Sequence, residues 1–246
     1  MAGLAAGLRP QAVFALGETA ELEARLAESG HPLADAPVYA VDRRVAARLS
    51  TLESPAPLMA VFPLPASPPL GELALDWAPA GERPRPLAVY ADRLADPGNL
   101  GTLVREAAAF AAAALVASPG SVDLYAPKVV RAGMGAVFAL PLYQEMALAR
   151  VVEELQAAPV YGLVAHGGKP LDEVVCPVPP GGPALLVVGA ERAGLSADAL
   201  ACVTDLVTIP LAGATGGGVE SLNAGVAGAI ALYQLSRPGA LGARKE

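Results

Sequence analysis

Three stretches of this 246-residue chain combine polar side chains with glycines where packing alone does not ask for them. The first is "ADPGNLGTLVREAAAF", residues 95–110. Arg105 stands six residues after Asn99, on a helical face shared with Gly101, Thr102, Ala108 and Ala109, its neighbours at i−4, i−3, i+3 and i+4. That face carries no bulk, so something can approach the backbone closely with a guanidinium beside it. Pro97 and Gly98 predict a turn, and Asn99 predicts an N-cap for a helix running from Leu100. A surface arginine that snorkels beside a capping asparagine is the competing reading.

The second stretch is "LLVVGAERAGLS", from Leu185. An apolar strand delivers Gly189, then Glu191, then Gly194, and the glycines let a ligand come near the backbone. The spacing lacks the Lys-Ser/Thr of a phosphate-binding loop and the G-x-G-x-x-G of a dinucleotide fingerprint. A plain strand-to-helix turn with a solvated Glu191 remains the alternative. The third stretch is "TIPLAGATGGGVESLN", from Thr208. Either Ser221 or Asn223 suffices to cap the helix that follows. Further polar groups at the mouth of an apolar helix point to a site.

The elements needed to hold these loops are legible from periodicity. "AVFAL" (from Ala12), "VYAV" (from Val38) and "LMAVFPL" (from Leu58) predict strands. Between them, "ETAELEARLAES" and "DRRVAARLS", the latter capped by Asp42, predict helices. This small α/β unit covers 1–64. A proline-rich, aperiodic stretch at 65–86 predicts a linker. From Leu87 strands and helices alternate again. Strands "LAVYA", "ALVAS", "VYGLVA", "ALLVVG" and "LVTIP" are separated by helices at "YAPKVVRAGMGAV", "MALARVVEELQAA" and "LSADALACV", the last capped by Ser196, and a final helix begins at "ESLN". Alternation predicts a parallel sheet with ligands beyond its C-terminal strand ends. The Gly- and Ala-rich last helix, "AGVAGAIAL", suits close contact with another backbone, within the chain or between two chains.

Composition narrows the function classes. The chain is 54% hydrophobic and 17% charged, ample for a core. A net charge of −7 argues against a simple polybasic nucleic-acid binder while leaving room for a local basic groove. Two cysteines, Cys176 and Cys202, and two histidines, His31 and His166, show no metal-ligand spacing. That excludes a zinc site and speaks against a disulfide framework, as in a reducing cytosol. The apolar run 107–117 is too short to span a bilayer, and the N-terminus lacks a signal-peptide pattern. The expectation is a soluble, cytoplasmic protein with no membrane contact.

Taken together, "DPGNLGTLVREAAAF", "VVGAERAGLS" and "IPLAGATGGGVESLNAGVAGAI" resemble the three motifs of the SpoU (TrmH) family of RNA ribose 2′-O-methyltransferases, within the SPOUT class. "SVDLYAPKVVRAGMGAVFALP" is similar to the family's intervening segment. The likeness covers about Leu87 to Gln234, and residues 3–64 are more weakly similar to the family's RNA substrate-binding domain. Two departures stand out: extra residues at Ala214–Gly218, and Ala224-Gly225 where the family commonly shows Val-Ser.

The resemblance implies an α/β fold with a parallel sheet and a C-terminal trefoil knot over 87–246, preceded by the small substrate-binding domain. It implies a homodimer that binds S-adenosylmethionine and no metal. By motif position, Gly189, Ile209 and Leu222 contact the cofactor, largely through backbone. Asn99, Arg105, Glu191, Ser221 and Asn223 form the polar catalytic cluster. The reaction is methyl transfer to a ribose 2′-hydroxyl of RNA, with ribosomal RNA placed ahead of transfer RNA. Under this resemblance Arg105 holds the neighbouring phosphate bidentately and sets the 2′-oxygen in line, with Glu191 pairing to fix its fork. The alternative is a catalytically inactive RNA-binding knot protein that retains the cofactor pocket.

Overall fold

A computed structural model describes residues 2–20, 24, 36–50, 52, 54–72, 86–157, 159–174, 184–212 and 221–236. The chain divides into two compact units, Met1–Ala66 and Ser67–Glu246.

In the first unit, after the short helix α1 (Ala2–Ala5), the strand β1 (Ala12–Leu16) lies in the centre of a three-stranded sheet. It runs parallel to β2 (Val38–Val41) and antiparallel to β3 (Leu58–Val61). Helix α2 (Arg43–Leu49) is capped as its sequence predicts, the Asp42 carboxylate accepting from Val45 N at 2.8 Å. Ala46 on α2 is buried, as are Val13 and Ala15 on β1. Most of the helix expected at "ETAELEARLAES" lies outside the described residues.

The second unit is built on a seven-stranded sheet of order β6-β5-β4-β9-β7-β10-β8, in which all neighbouring strands run parallel. The strands are β4 (Leu87–Asp92), β5 (Ala114–Ala117), β6 (Leu142–Tyr143), β7 (Val160–Leu163), β8 (Lys169–Pro170), β9 (Ala184–Gly189) and β10 (Asp205–Thr208). Helices cover both sheet faces, which is why the central strands read as unbroken apolar runs. Every residue of β4 is buried. Its alternate residues enter two different cores, Leu87, Val89 and Ala91 on one face and Ala88 and Tyr90 on the other. The first core is completed by helices α3 (Pro97–Ala109), α4 (Pro127–Ala132) and α7 (Ala224–Leu235). The second is completed by α5 (Leu148–Leu155), α6 (Ala197–Cys202) and Leu70.

Residues 67–72 of the proline-rich stretch sit on the second unit. Ser67 Oγ donates to Leu142 O at 3.1 Å, and the Tyr143 hydroxyl donates to Pro68 O at 2.7 Å. Residues 73–85 lie outside the described set.

One expectation is corrected here, and another gains its partner. The helix predicted over "YAPKVVRAGMGAV" stops at Ala132, because Met134 and Gly135 adopt left-handed backbone angles of φ 51° and 93°. A single helical turn, Ala136–Phe138, follows. The small-residue face of α3 is approached closely at Gly101, as its lack of bulk allows. A methyl group there would lie 2.5 Å from Ala132 Cβ and 2.7 Å from Val129 O. What approaches that backbone is helix α4 of the same chain.

The last helix, α7, uses its small residues in the same way. Gly225 faces Asn99 O and Thr102 Cβ, and Gly228 faces Leu103 Cδ1. After β10, the chain thus returns to lie against α3.

Candidate active site

Strands β7, β9 and β10 are neighbours, so their C-terminal ends open side by side. Between them lies a cleft of about 160 Å³. Strand β7 and the residues after it contribute Leu163, Val164 and Ala165 to its lining; the β9 end contributes Val188, Gly189 and Glu191. Thr208 comes from the end of β10 and Ile209 from the residue after it, and Ser221 and Leu222 from the chain entering α7. The position matches the expectation of a ligand site at the C-terminal edge of a parallel sheet. The walls are mainly apolar. Thr208 Oγ1 donates to Ala165 O at 2.9 Å and ties β10 to the chain beyond β7.

Gly189 is required by close packing. A methyl group on it would lie 2.5 Å from both Gly194 C and Gly194 O. The loop after β9 therefore folds straight back onto the strand end. It is closed by two backbone bonds, Ala190 N to Gly194 O at 3.1 Å and Gly194 N to Ala190 O at 2.9 Å. The turn between them exposes Glu191 at the cleft mouth.

Asn99 is mostly buried, and its Nδ2 donates to Glu191 Oε1 at 2.5 Å. Asn99 is not the helix cap expected of it. Asp96 is the cap, its carboxylate accepting from Asn99 N at 2.8 Å, and the helix starts at Pro97. Proline suits the first helical position, where the missing N–H costs nothing. With the cap supplied by Asp96, the Asn99 side chain is free to reach the second loop.

The expected pairing of Glu191 with Arg105 is corrected. Arg105 Nε lies 3.8 Å from Glu106 Oε1, and the Arg105 side chain is 59% exposed. Six residues at about 100° each place Arg105 roughly 240° around the helix from Asn99. One carboxylate cannot easily serve both.

Gly189, Glu191, Ile209, Ser221 and Leu222 thus line one cleft, and Asn99 joins it through Glu191. Asn223 serves as the N-cap of α7, its side-chain oxygen accepting from Val226 N at 3.2 Å. Arg105 lies outside the cleft lining on exposed helix surface. The extra residues Ala214–Gly218 lie outside the described set. Among the described residues no group of three His, Cys, Asp or Glu side chains could hold a metal ion. Nor is any helix long and apolar enough to cross a membrane.

Sequence reasoning missed Asp92. It is buried at the end of β4, where its carboxylate accepts from Ser196 N at 2.6 Å and from Ser196 Oγ at 3.1 Å. The signal was an aspartate closing the apolar strand "LAVYAD". Two residues earlier on the same face, Tyr90 donates its hydroxyl to Met146 O at 2.9 Å. Burial, with the nearby Asp92 charge, pushes the Tyr90 phenol up to about 12. It is therefore held as a neutral donor.

Residues 86–233 match the model of the SpoU rRNA Methylase family. The chain belongs to this family. The matched region holds all three loops described above. Among its relatives is 23S rRNA (guanosine(2553)-2′-O)-methyltransferase RlmP of Bacillus subtilis, 39% identical over 147 residues, which are 58% of this chain and 55% of that protein. Another is 23S rRNA (uridine(2479)-2′-O)-methyltransferase of Streptomyces viridochromogenes, 33% identical over 192 residues, or 75% of this chain and 61% of that one. The matched stretch thus spans somewhat more than half the length of these relatives. A family member of known structure, the SpoU methyltransferase AviRb from Streptomyces viridochromogenes in complex with AdoMet, superposes with a TM-score of 0.75 at 26% identity. That likeness covers 96% of this chain and 85% of that one.

Proposed function

We propose that this chain transfers a methyl group from S-adenosylmethionine to a ribose 2′-hydroxyl of RNA. The observation that carries this reading is the cleft at the ends of β7, β9 and β10, with the Asn99–Glu191 pair at its edge. The cleft fits the donor in chemistry. Leu163, Val188, Ile209 and Leu222 offer apolar surface for a purine, and Thr208, Ser221 and Glu191 offer a few convergent polar groups. When bound, the donor supplies an electrophilic methyl group on a sulfonium.

The chain's own residues then have to place the nucleophile. A 2′-hydroxyl is a weak nucleophile at neutral pH, and alignment is the main source of acceleration for such a transfer. Arg105 is exposed and always charged, with a planar fork suited to a phosphate. Its role is to hold the phosphate next to the target ribose. Ser221 and the Asn99–Glu191 pair supply hydrogen-bonding groups at the cleft. Asn223 acts by fixing the start of α7. All five residues that the resemblance assigns to the polar cluster are present in the chain, which favours turnover over an inactive binding protein. RNA is the substrate class because DNA lacks the 2′-hydroxyl. The two relatives named for 23S rRNA favour ribosomal over transfer RNA.

Three further features belong to the same reading. The return of the C-terminal helix from β10 onto α3 supports a trefoil knot. Exposed Val226, Ile230 and Tyr233 recur along one side of α7 and support pairing of two copies through that helix. The separate first unit, with Arg43, Arg44 and Arg48 exposed on α2, supports a role in docking RNA.

The test is incubation with isotope-labelled S-adenosylmethionine and unmodified ribosomal RNA, followed by nuclease digestion and mass spectrometry. A labelled 2′-O-methyl nucleoside is expected. Label on a base, or none on any RNA, would sink the reading.

A further inference from the structure

The loop after β9 is fastened at three points. At its root Gly189 touches Gly194, and across its neck Ala190 and Gly194 exchange two backbone bonds. At its far end Ser196 is held by Asp92, a carboxylate only 3% exposed. Asp92 closes β4 in register with Gly189, so it stands beside the point where this loop begins and reaches the point where it ends. Both its oxygens are used on one residue. Ser196 Oγ in turn accepts from Ala199 N at 3.1 Å and caps α6. The loop so fastened carries Gly189, Glu191 and Gly194, all of which line the cleft.

We propose that Asp92 is a positioning residue for methyl-donor binding: by holding Ser196 it fixes the Gly189–Ser196 loop, and with it one wall of the cleft and the carboxylate of Glu191. The proposal rests on the methyl-donor reading of the cleft. Asp92 acts as a hydrogen-bond acceptor and not through its charge. Asparagine at this position can accept from Ser196 N with its oxygen and donate to Ser196 Oγ, which keeps a free lone pair. Alanine leaves the part-buried Ser196 N–H without its carboxylate partner.

The test is calorimetric titration of S-adenosylhomocysteine into full-length wild type, Asp92→Ala, Asp92→Asn and Ser196→Ala, with thermal melting of each. Wild type is expected to bind. Asp92→Ala should weaken binding about tenfold in protein that is still folded at the titration temperature. Asp92→Asn should stay within about threefold of wild type, and Ser196→Ala should fall between the two. If Asp92→Ala does not fold, Ser196→Ala carries the test, and unchanged affinity there overturns the proposal. A lower melting temperature with unchanged affinity would make Asp92 merely structural. Asp92→Asn as weak as Asp92→Ala would mean that the charge matters, which also overturns it. If wild type binds no donor product, the reading of the cleft fails, and this proposal falls with it.

Discussion

Asn99 Nδ2 donates to Glu191 Oε1 at 2.5 Å, joining two loops that are 92 residues apart in the chain. A hydrogen bond to a charged group contributes more than a neutral one, about 1.5–3 kcal/mol. If the pair acts as a unit at the cleft mouth, its members are coupled. Asn99→Ala and Glu191→Ala should each slow methyl transfer, and the double variant should be no slower than the worse single one by more than a few-fold. A double-mutant cycle on single-turnover rates should give a coupling of about 0.5–3 kcal/mol. Strict additivity would show that the contact does not matter to the reaction.

Gly101 provides a test in which the sign decides. In an open helix, Gly→Ala stabilises by about 1 kcal/mol. Here the added methyl meets Ala132 Cβ and the Val129 carbonyl at 2.5 and 2.7 Å, and neither is the tip of a flexible side chain. Gly101→Ala should therefore destabilise by roughly 1–3 kcal/mol, measured by urea unfolding. A gain in stability would mean that this face is open after all.

Tyr90 predicts an alkaline dependence. Its folded-state pKa of about 12 lies above the ordinary 10.0. The folded state therefore holds the proton more tightly, and the stabilisation is fully present below pH 10. It is lost as the pH rises through about 12. Wild type should lose its advantage over Tyr90→Phe between pH 10 and 12, followed by denaturant unfolding at several pH values. A stability difference that stays constant across that range would contradict the assignment.

The exposed side of α7 predicts an assembly effect. Val226→Glu/Ile230→Glu changes two side chains that are 47% and 39% exposed, so folding should be little affected. Sedimentation should show wild type as a dimer and the double variant as a monomer. A monomeric wild type, or a variant that still dimerises, would remove α7 as the pairing surface.

The sequence made the parallel sheet and the three loops legible because both rest on strong local signals. Unbroken apolar strands mark a sheet covered on both faces, and polar residues at strand ends have no packing purpose. Assigning the α3 cap failed because "DPGN" holds two competent capping residues, Asp96 and Asn99. Proline at the first helical position decides for Asp96, and that choice releases the Asn99 side chain to Glu191. The small face of α3 was legible as a close-approach surface, but composition cannot say whether a ligand or a helix fills it. The break at Met134 was illegible for another reason. A non-glycine residue takes a left-handed conformation there, and local propensity argues against it. Asp92 escaped notice because its partner, Ser196, lies 104 residues away.

The most direct test of the account is single-turnover transfer of labelled methyl from S-adenosylmethionine to ribosomal RNA by wild type and Arg105→Ala. Arg105 is exposed and its ion pair is long, so its loss should change stability by no more than about 1 kcal/mol and leave donor binding intact. Wild type should place the label on a ribose 2′-oxygen, and Arg105→Ala should be at least ~100-fold slower, the scale of lost positioning. Arg105→Lys should recover little of that rate, because an ammonium lacks the planar fork. Retention of more than about a tenth of the wild-type rate in Arg105→Ala, or label found elsewhere than on the 2′-oxygen, would contradict the account.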